Sequence, residues 1–97
     1  MLHTVNKSPY GHATLDECLG VAAPGSTILL IEDGVYAAKA GASYEGKLKA
    51  ALGTVKIAAL GPDLAARGIK ECVDGITVVD YDGFVDMVAE NKMTAWV

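Results

Sequence analysis

The sequence lacks the features that define several large classes of protein. No apolar run approaches the ~20 residues of a membrane-spanning helix, and residues 28–31 form a run as long as any. The N-terminal stretch MLHTVNKSPYGH contains no long apolar segment of the signal-peptide kind. These absences predict a soluble, cytoplasmic protein that does not enter a membrane.

Basic residues, cysteines and histidines are also few. Eight Lys and Arg residues face twelve acids, which gives a net charge of −4. Because nucleic-acid binding depends on cations that neutralise phosphates, we expect no direct contact with RNA or DNA. Cys18 and Cys72 lie far apart, and only His3 and His12 could join them as ligands. Without a glycine-rich phosphate loop either, the sequence predicts neither a metal nor a cofactor.

The sequence alternates strand-like and helix-like segments along its 97 residues. Helix-length connections between strands favour parallel pairing with right-handed crossovers. The pattern predicts one α/β domain, residues 1–97, with helices on both faces of a five-stranded parallel sheet. An apolar content of 52% exceeds what so small a domain needs for its own core, which indicates a partner interface. The predicted strands are residues 2–5, 27–31, 55–60, 76–79 and 93–97. The predicted helices follow them at about 14–22, 35–40 with 44–52, 61–67 and 81–88.

Local signals place the helix ends and faces. Thr14 and Glu17 have the spacing of a capping box, Pro62 suits a first helical turn, and Asp80 is a candidate N-cap. Two helices show apolar residues at i, i+3, i+4 and i+7, the spacing of a single buried face. Those faces consist of Leu15, Cys18, Leu19 and Ala22 in the first helix and of Tyr81, Phe84, Val85 and Val88 in the last.

Two adjacent acids, Glu32 and Asp33, end the second predicted strand. Functional groups in open parallel sheets gather at the carboxyl ends of strands, so either acid could be a base or a ligand contact. Neighbouring residues on an extended chain point to opposite faces, which makes the two a poor acid–base pair. We favour the structural alternative, in which Asp33 caps a helix that starts at Gly34.

Cys18, His3 and Trp96 are the other candidates. Cys18 could carry a persulfide, but it lies on the apolar helix face beside acids, and a reactive thiol needs access and a lowered pKa. The favoured interpretation is therefore a buried, inert cysteine. His3 lies in the first strand, where a packed, hydrogen-bonded histidine is expected. Trp96, the sole tryptophan, stands next to the last residue and is expected to contact another subunit.

Four segments together resemble the DsrH/TusB family of sulfur-relay subunits, and the resemblance is stronger to DsrH. They are MLHTVNKSP, LLIEDGVYAA, LGPDLAARG, and VVDYDGFVDM running to the closing MTAW. The resemblance implies a heterohexamer with two homologous subunits, one DsrE/TusD-like and one DsrF/TusC-like, and a downstream sulfur-acceptor protein. It also implies that the principal persulfide cysteine belongs to the DsrE/TusD-type subunit, at the turn after its third strand.

The comparable turn here is Leu60, Gly61 and Pro62, without a cysteine. The resemblance therefore implies a mainly structural subunit of a sulfurtransferase complex, non-catalytic or accessory, with Cys18 as a secondary carrier candidate. Its interface is expected to use Trp96, Asp33, Gly34 and His3. We place dissimilatory sulfur oxidation first as the pathway. The alternatives are a TusB-type relay for tRNA wobble-uridine 2-thiolation and an unrelated small-molecule-binding domain using the strand ends.

Overall fold

The computed structural model describes residues 1–97 and contains five strands in one all-parallel sheet. The strand order is β4-β3-β2-β1-β5, so the chain adds strands in one direction from β1 and then places the last strand on the other side of it. Every neighbouring pair is parallel. The strands are β1 (Leu2–Val5), β2 (Thr27–Leu30), β3 (Lys56–Leu60), β4 (Thr77–Val79) and β5 (Met93–Trp96), and the helices are α1 (Thr14–Val21), a 3-10 helix (Glu32–Ala38), α2 (Glu45–Ala51), α3 (Gly61–Ala66) and α4 (Tyr81–Glu90).

The two faces of the sheet carry unequal cores. The larger core joins one set of alternating strand residues to α1, the 3-10 helix, α2 and α3, and includes Val5, Ile28, Leu15 and Leu48. The smaller core has three fully buried residues, Leu2, Leu29 and Ala58, covered by Phe84 and Met87 of α4. Since strand side chains alternate between faces, the pairing register assigns each set to its own side. The expected α/β architecture with a five-stranded parallel sheet is therefore confirmed.

Several local predictions need correction. The capping box does not form, because α1 already begins at Thr14 and its N-cap is Ala13, with no side-chain cap. Thr14 is therefore helical, whereas a capping residue must lie outside the helix; the Glu17 N–H donates to the Ala13 carbonyl instead. The helix predicted at 35–40 is a 3-10 helix that starts earlier, at Glu32.

The predicted face of α4 is also wrong in part. Phe84 turns inward together with Met87, while Tyr81 and Val85 keep 59% and 64% of their surface exposed. The side of α4 that faces the sheet lies between Phe84 and Met87, so Tyr81 and Val85 lie towards its outer side. Two predictions of helix starts are confirmed. Asp80 caps α4, since its Oδ1 accepts a hydrogen bond from the Gly83 N–H at 2.8 Å, and Pro62 lies in the first turn of α3.

Candidate functional site

The carboxyl ends of β1, β2 and β3 meet at one edge of the sheet, where a very close backbone contact fixes their spacing. Gly34, just after β2, packs on the end of β1: a Cβ atom on Gly34 would lie 2.2 Å from the Val5 carbonyl oxygen. The same oxygen accepts a hydrogen bond from the Ile31 N–H at 3.0 Å. Gly34 is buried within its own chain, so its small size is required by this contact.

The backbone turns sharply at Glu32. Its φ of 49° makes it the one non-glycine residue with a positive φ, a conformation that costs about 1–3 kcal/mol for such a residue. The Glu32 N–H donates to Asp63 Oδ2 at 2.6 Å, so the first turn of α3 holds this strained turn after β2. Left-handed backbone at a strand end is concentrated at functional sites in proteins, which singles out this edge.

Arg67 ties the two strand ends together. Its Nε and Nη2 atoms both donate to Asp33 Oδ1, at 3.1 and 2.9 Å, and its Nη1 atom donates to the Asp63 carbonyl at 3.2 Å. The guanidinium also lies 5.9 Å from the centre of the Tyr36 ring. The hydrogen bond with Asp33 raises the pKa of Arg67. At this edge Arg67 is therefore paired with two carboxylates of its own chain.

The network overturns one prediction, and the sequence did not reveal it. Asp33 does not cap a helix, because the 3-10 helix begins before it and Asp33 lies within the first turn, its carboxylate on Arg67. The Asp63–Arg67 spacing of i, i+4 was the available sequence signal. The link from Arg67 to Asp33 spans 34 residues, and only the adjacency of β2 and β3 creates it.

The turn after β3 brings no thiol to this edge. Leu60 ends the strand buried, and Gly61 and Pro62 start α3 directly. A Cβ atom on Gly61 would lie 3.3 Å from both the Val78 side chain and the Val79 carbonyl oxygen. A larger side chain at this turn would thus press against β4.

Neither cysteine has the surroundings of a reactive thiol. Cys18 is fully buried in the larger core, and burial raises its pKa to about 11. Cys72 is half-buried, pairs with Lys39 through an isolated bridge, and has its pKa raised by the same cause. Since the thiolate is the nucleophile in persulfide chemistry, the geometry favours the expected inert role for Cys18.

Trp96 is covered more by its own chain than the sequence suggested. Its indole Nε1–H donates to His3 Nδ1 at 3.1 Å, and its ring packs on the edge of the larger core. The acceptor Nδ1 must be unprotonated, so His3 is neutral here. Burial, and then the charge of the N-terminal amine, lower the pKa of His3. Trp96 is nevertheless only half-buried, so part of the indole stays accessible to another molecule.

The remaining polar groups offer no assembled reaction centre. Asn6, directly after β1, has a buried Oδ1 atom without a hydrogen-bond partner, and no sequence signal marked it. No three His, Cys, Asp or Glu side chains come together as metal ligands. No helix has the length and apolar character needed to cross a bilayer.

Comparison with known proteins gives a consistent assignment. The profile of the DsrH-like protein family matches residues 7–94. Protein TusB of Pectobacterium parmentieri is 39% identical over 99% of this chain and its own full length, and Protein TusB of Escherichia coli K12 is 35% identical over the same shares.

Solved structures extend the likeness in fold. The crystal structure of the Escherichia coli ychN protein superposes with a TM-score of 0.79 at 18% identity, over 97% of each chain. An NMR structure of a Thermotoga maritima protein gives 0.65 at 23% identity, over 94% of each chain. Sequence identity over the whole length, the profile match and the shared fold agree: the chain belongs to the DsrH-like family, together with the TusB proteins.

Proposed function

We propose that this chain is a structural subunit of a cytoplasmic sulfur-relay complex, in which sulfur travels as cysteine persulfide between proteins. The chain would act as one DsrH/TusB-like domain, residues 1–97, beside a DsrE/TusD-like and a DsrF/TusC-like subunit in a hexamer. A partner's cysteine would carry the sulfur and pass it to a downstream acceptor protein. Family membership supports the relay.

The burial and raised pKa of the thiols support an accessory role over a sulfur-carrying one. A thiol of pKa about 11 in the core has roughly 300 times less thiolate at neutral pH than a free thiol of pKa near 8.5. The edge where the resemblance places a partner's cysteine holds Gly61 and Pro62 here, next to the Arg67 network. The chain would thus shape the assembly around a sulfur carrier rather than be one.

The relatives reverse the order of the expected pathways. Sulfur oxidation stood first on the resemblance to DsrH, but the full-length relatives at 35–39% identity are TusB proteins. We therefore propose the TusB-type relay for 2-thiolation of the tRNA wobble uridine as the leading pathway. The DsrH-like profile match keeps sulfur oxidation as the second candidate. With its net charge of −4, the chain would leave tRNA contact to another protein.

The proposed interface has exposed and covered members. Asp33 keeps 59% of its side chain exposed, and Trp96 is half-buried, so both remain able to contact another subunit. His3 and Gly34 are buried within the chain and would act indirectly, His3 by orienting Trp96 and Gly34 by fixing the turn beside Asp33.

Native mass spectrometry of the chain with the two homologous subunits from its source tests the role. We expect a mixed complex with persulfide sulfur on a partner and none on this chain. Cys18→Ser should leave sulfur loading unchanged, with Cys72→Ser as the matched control. Extra sulfur on this chain that disappears in Cys18→Ser would refute the structural role, and the absence of any mixed complex would refute the relay assignment.

The pathway needs a separate measurement in cells of the source organism. Deletion of the gene should lower the 2-thiouridine content of tRNA, and a plasmid copy should restore it. Unchanged 2-thiouridine together with lost growth on reduced sulfur would favour the sulfur-oxidation candidate instead.

A further inference from the structure

α4 is the one helix on its side of the sheet, and it buries little of its apolar surface. None of its ten residues is fully buried. Phe84 and Met87 reach the small core formed by Leu2, Leu29 and Ala58, and they remain partly exposed. The outer surface of this helix is therefore free of contact with the rest of the chain.

That outer surface is a continuous apolar stripe. Tyr81, Val85 and Val88 keep 59%, 64% and 37% of their surface exposed, and their i, i+4 and i+7 spacing places them in a row along the helix. Phe84, Val85, Val88 and Ala89 line a shallow groove without any polar residue. Exposed apolar stripes of this kind mark interaction sites on otherwise folded domains. We call the exposed residues Tyr81, Val85, Val88 and Ala89 the α4 stripe; Phe84, which packs on the small core, forms the inner side of the groove.

One side of the α4 stripe is bordered by acids. Asp82, Asp86 and Glu90 follow one another at four-residue intervals, so they form a parallel row beside the stripe. All three are exposed, and none takes part in a salt bridge. The helix itself contains no Lys or Arg. The row is a negative edge that forms no salt bridge with a Lys or Arg of this chain.

We propose that the α4 stripe docks a partner protein whose apolar contact surface is bordered by Lys or Arg residues that pair with Asp82, Asp86 and Glu90. The inference rests on the proposed function, since it assigns one subunit contact of the relay complex to this helix. Apolar side chains of the partner fill the groove and supply most of the affinity, because apolar burial is the main favourable term in association. The acid row selects the partner by charge.

The same charges exclude two other occupants. A second copy of this chain would bring three more acids and no cation on its own α4, so the row would be desolvated without compensation, which is costly. Helices that lie on membranes carry Lys and Arg beside their apolar face to meet anionic lipids, and acids in that position are repelled.

Two variants with matched controls test the docking surface. Val85→Asp places a charge in the stripe, and Asp86→Lys combined with Glu90→Lys reverses the row. The control Glu71→Lys with Asp74→Lys changes the net charge equally at exposed residues outside salt bridges. Binding is measured by native mass spectrometry and by titration with the two homologous subunits at several salt concentrations, after thermal unfolding shows that each variant is folded.

We expect Val85→Asp to weaken assembly at least about tenfold. The double reversal should weaken it and reduce its salt dependence, while the control behaves as wild type. If all variants assembled as tightly as the wild type, the inference would be overturned and the proposed function would stand. No assembly even of wild type would remove the proposed function itself. A wild-type homodimer abolished by Val85→Asp, or binding to anionic phosphatidylserine vesicles, would also overturn the choice of partner.

Discussion

Replacing Gly34 with alanine tests the close approach that joins the ends of β1 and β2. The added Cβ would lie 2.2 Å from the Val5 carbonyl oxygen and 3.1 Å from its carbonyl carbon. Both atoms are backbone, so no side chain can rotate away to make room. The two strand ends would have to separate by about 1 Å to reach an ordinary contact distance, at a site where the interior is close-packed.

The expected loss follows from two contributions. Overpacking of a core costs typically about 1–3 kcal/mol, and a rigid backbone obstacle belongs at the upper end. Separation also stretches the 3.0 Å hydrogen bond from the Ile31 N–H to the Val5 oxygen, worth about 1 kcal/mol. We expect Gly34→Ala to lower the free energy of unfolding by about 3–4 kcal/mol, or Tm by roughly 12–30 °C for a domain of this size.

Thermal unfolding followed by circular dichroism measures the effect, with Gly20→Ala as the control. Gly20 lies in α1, and no atom outside its immediate surroundings lies within 4 Å of the position that an alanine methyl group would take. Alanine there should be neutral or stabilise by about 0.5–1 kcal/mol. If Gly34→Ala unfolds within 2 or 3 °C (about 0.5 kcal/mol) of the wild type, the contact between the strand ends does not restrict this residue as described.

Three further outcomes are expected. Because burial raises the pKa of Cys18 to about 11, iodoacetamide should alkylate it at least about 100-fold more slowly than a free thiol at pH 7.5, and alkylation at the free-thiol rate would contradict its burial. Burial lowers the pKa of His3, so between the two pKa values the unfolded state binds a proton that the folded state does not. The stability that neutral His3 contributes is therefore present above pH ~6.5 and is lost as the pH falls through the pKa of the folded state. The fluorescence of Trp96 and the Tm should show this loss, and a His3→Gln variant should not. Asp63→Ala removes the acceptor of the strained Glu32 N–H and should cost about 1–2 kcal/mol by urea unfolding, whereas an unchanged midpoint would show that solvent replaces the carboxylate.

The sequence predicted those features that arise from local periodicity. Alternation of apolar strands with helix-length connections was sufficient for the parallel sheet, and Leu15 and Cys18 lie on the buried face of α1 as expected. The burial of α4 was mispredicted because no second helix packs beside it on this face of the sheet. The sheet covers Phe84, and nothing in the chain covers Val85. Periodicity identifies an apolar face, and it does not tell whether the same chain or another one covers it.

The ion network shows a second limit of sequence reasoning. A cap is a local device, and the sequence around Asp33 shows only its neighbours, which is why a cap was the natural prediction. Its true partner, Arg67, lies beyond β3 and reaches Asp33 only because β2 and β3 are paired in parallel. The indole of Trp96 has an unforeseen partner for the same reason, since nothing in the sequence indicates that β5 pairs with β1 and places it beside His3.

The network also explains how this edge of the sheet could serve an assembly without a thiol of its own. Arg67 links the turns after β2 and β3 through Asp33 and Asp63. A carrier cysteine needs a cation or helix N-terminus free to stabilise its thiolate, but the cation here is already bound by carboxylates. The charge arrangement therefore supports the proposed role as well as the missing cysteine does: in the proposed assembly, stabilisation of the thiolate would be left to a partner.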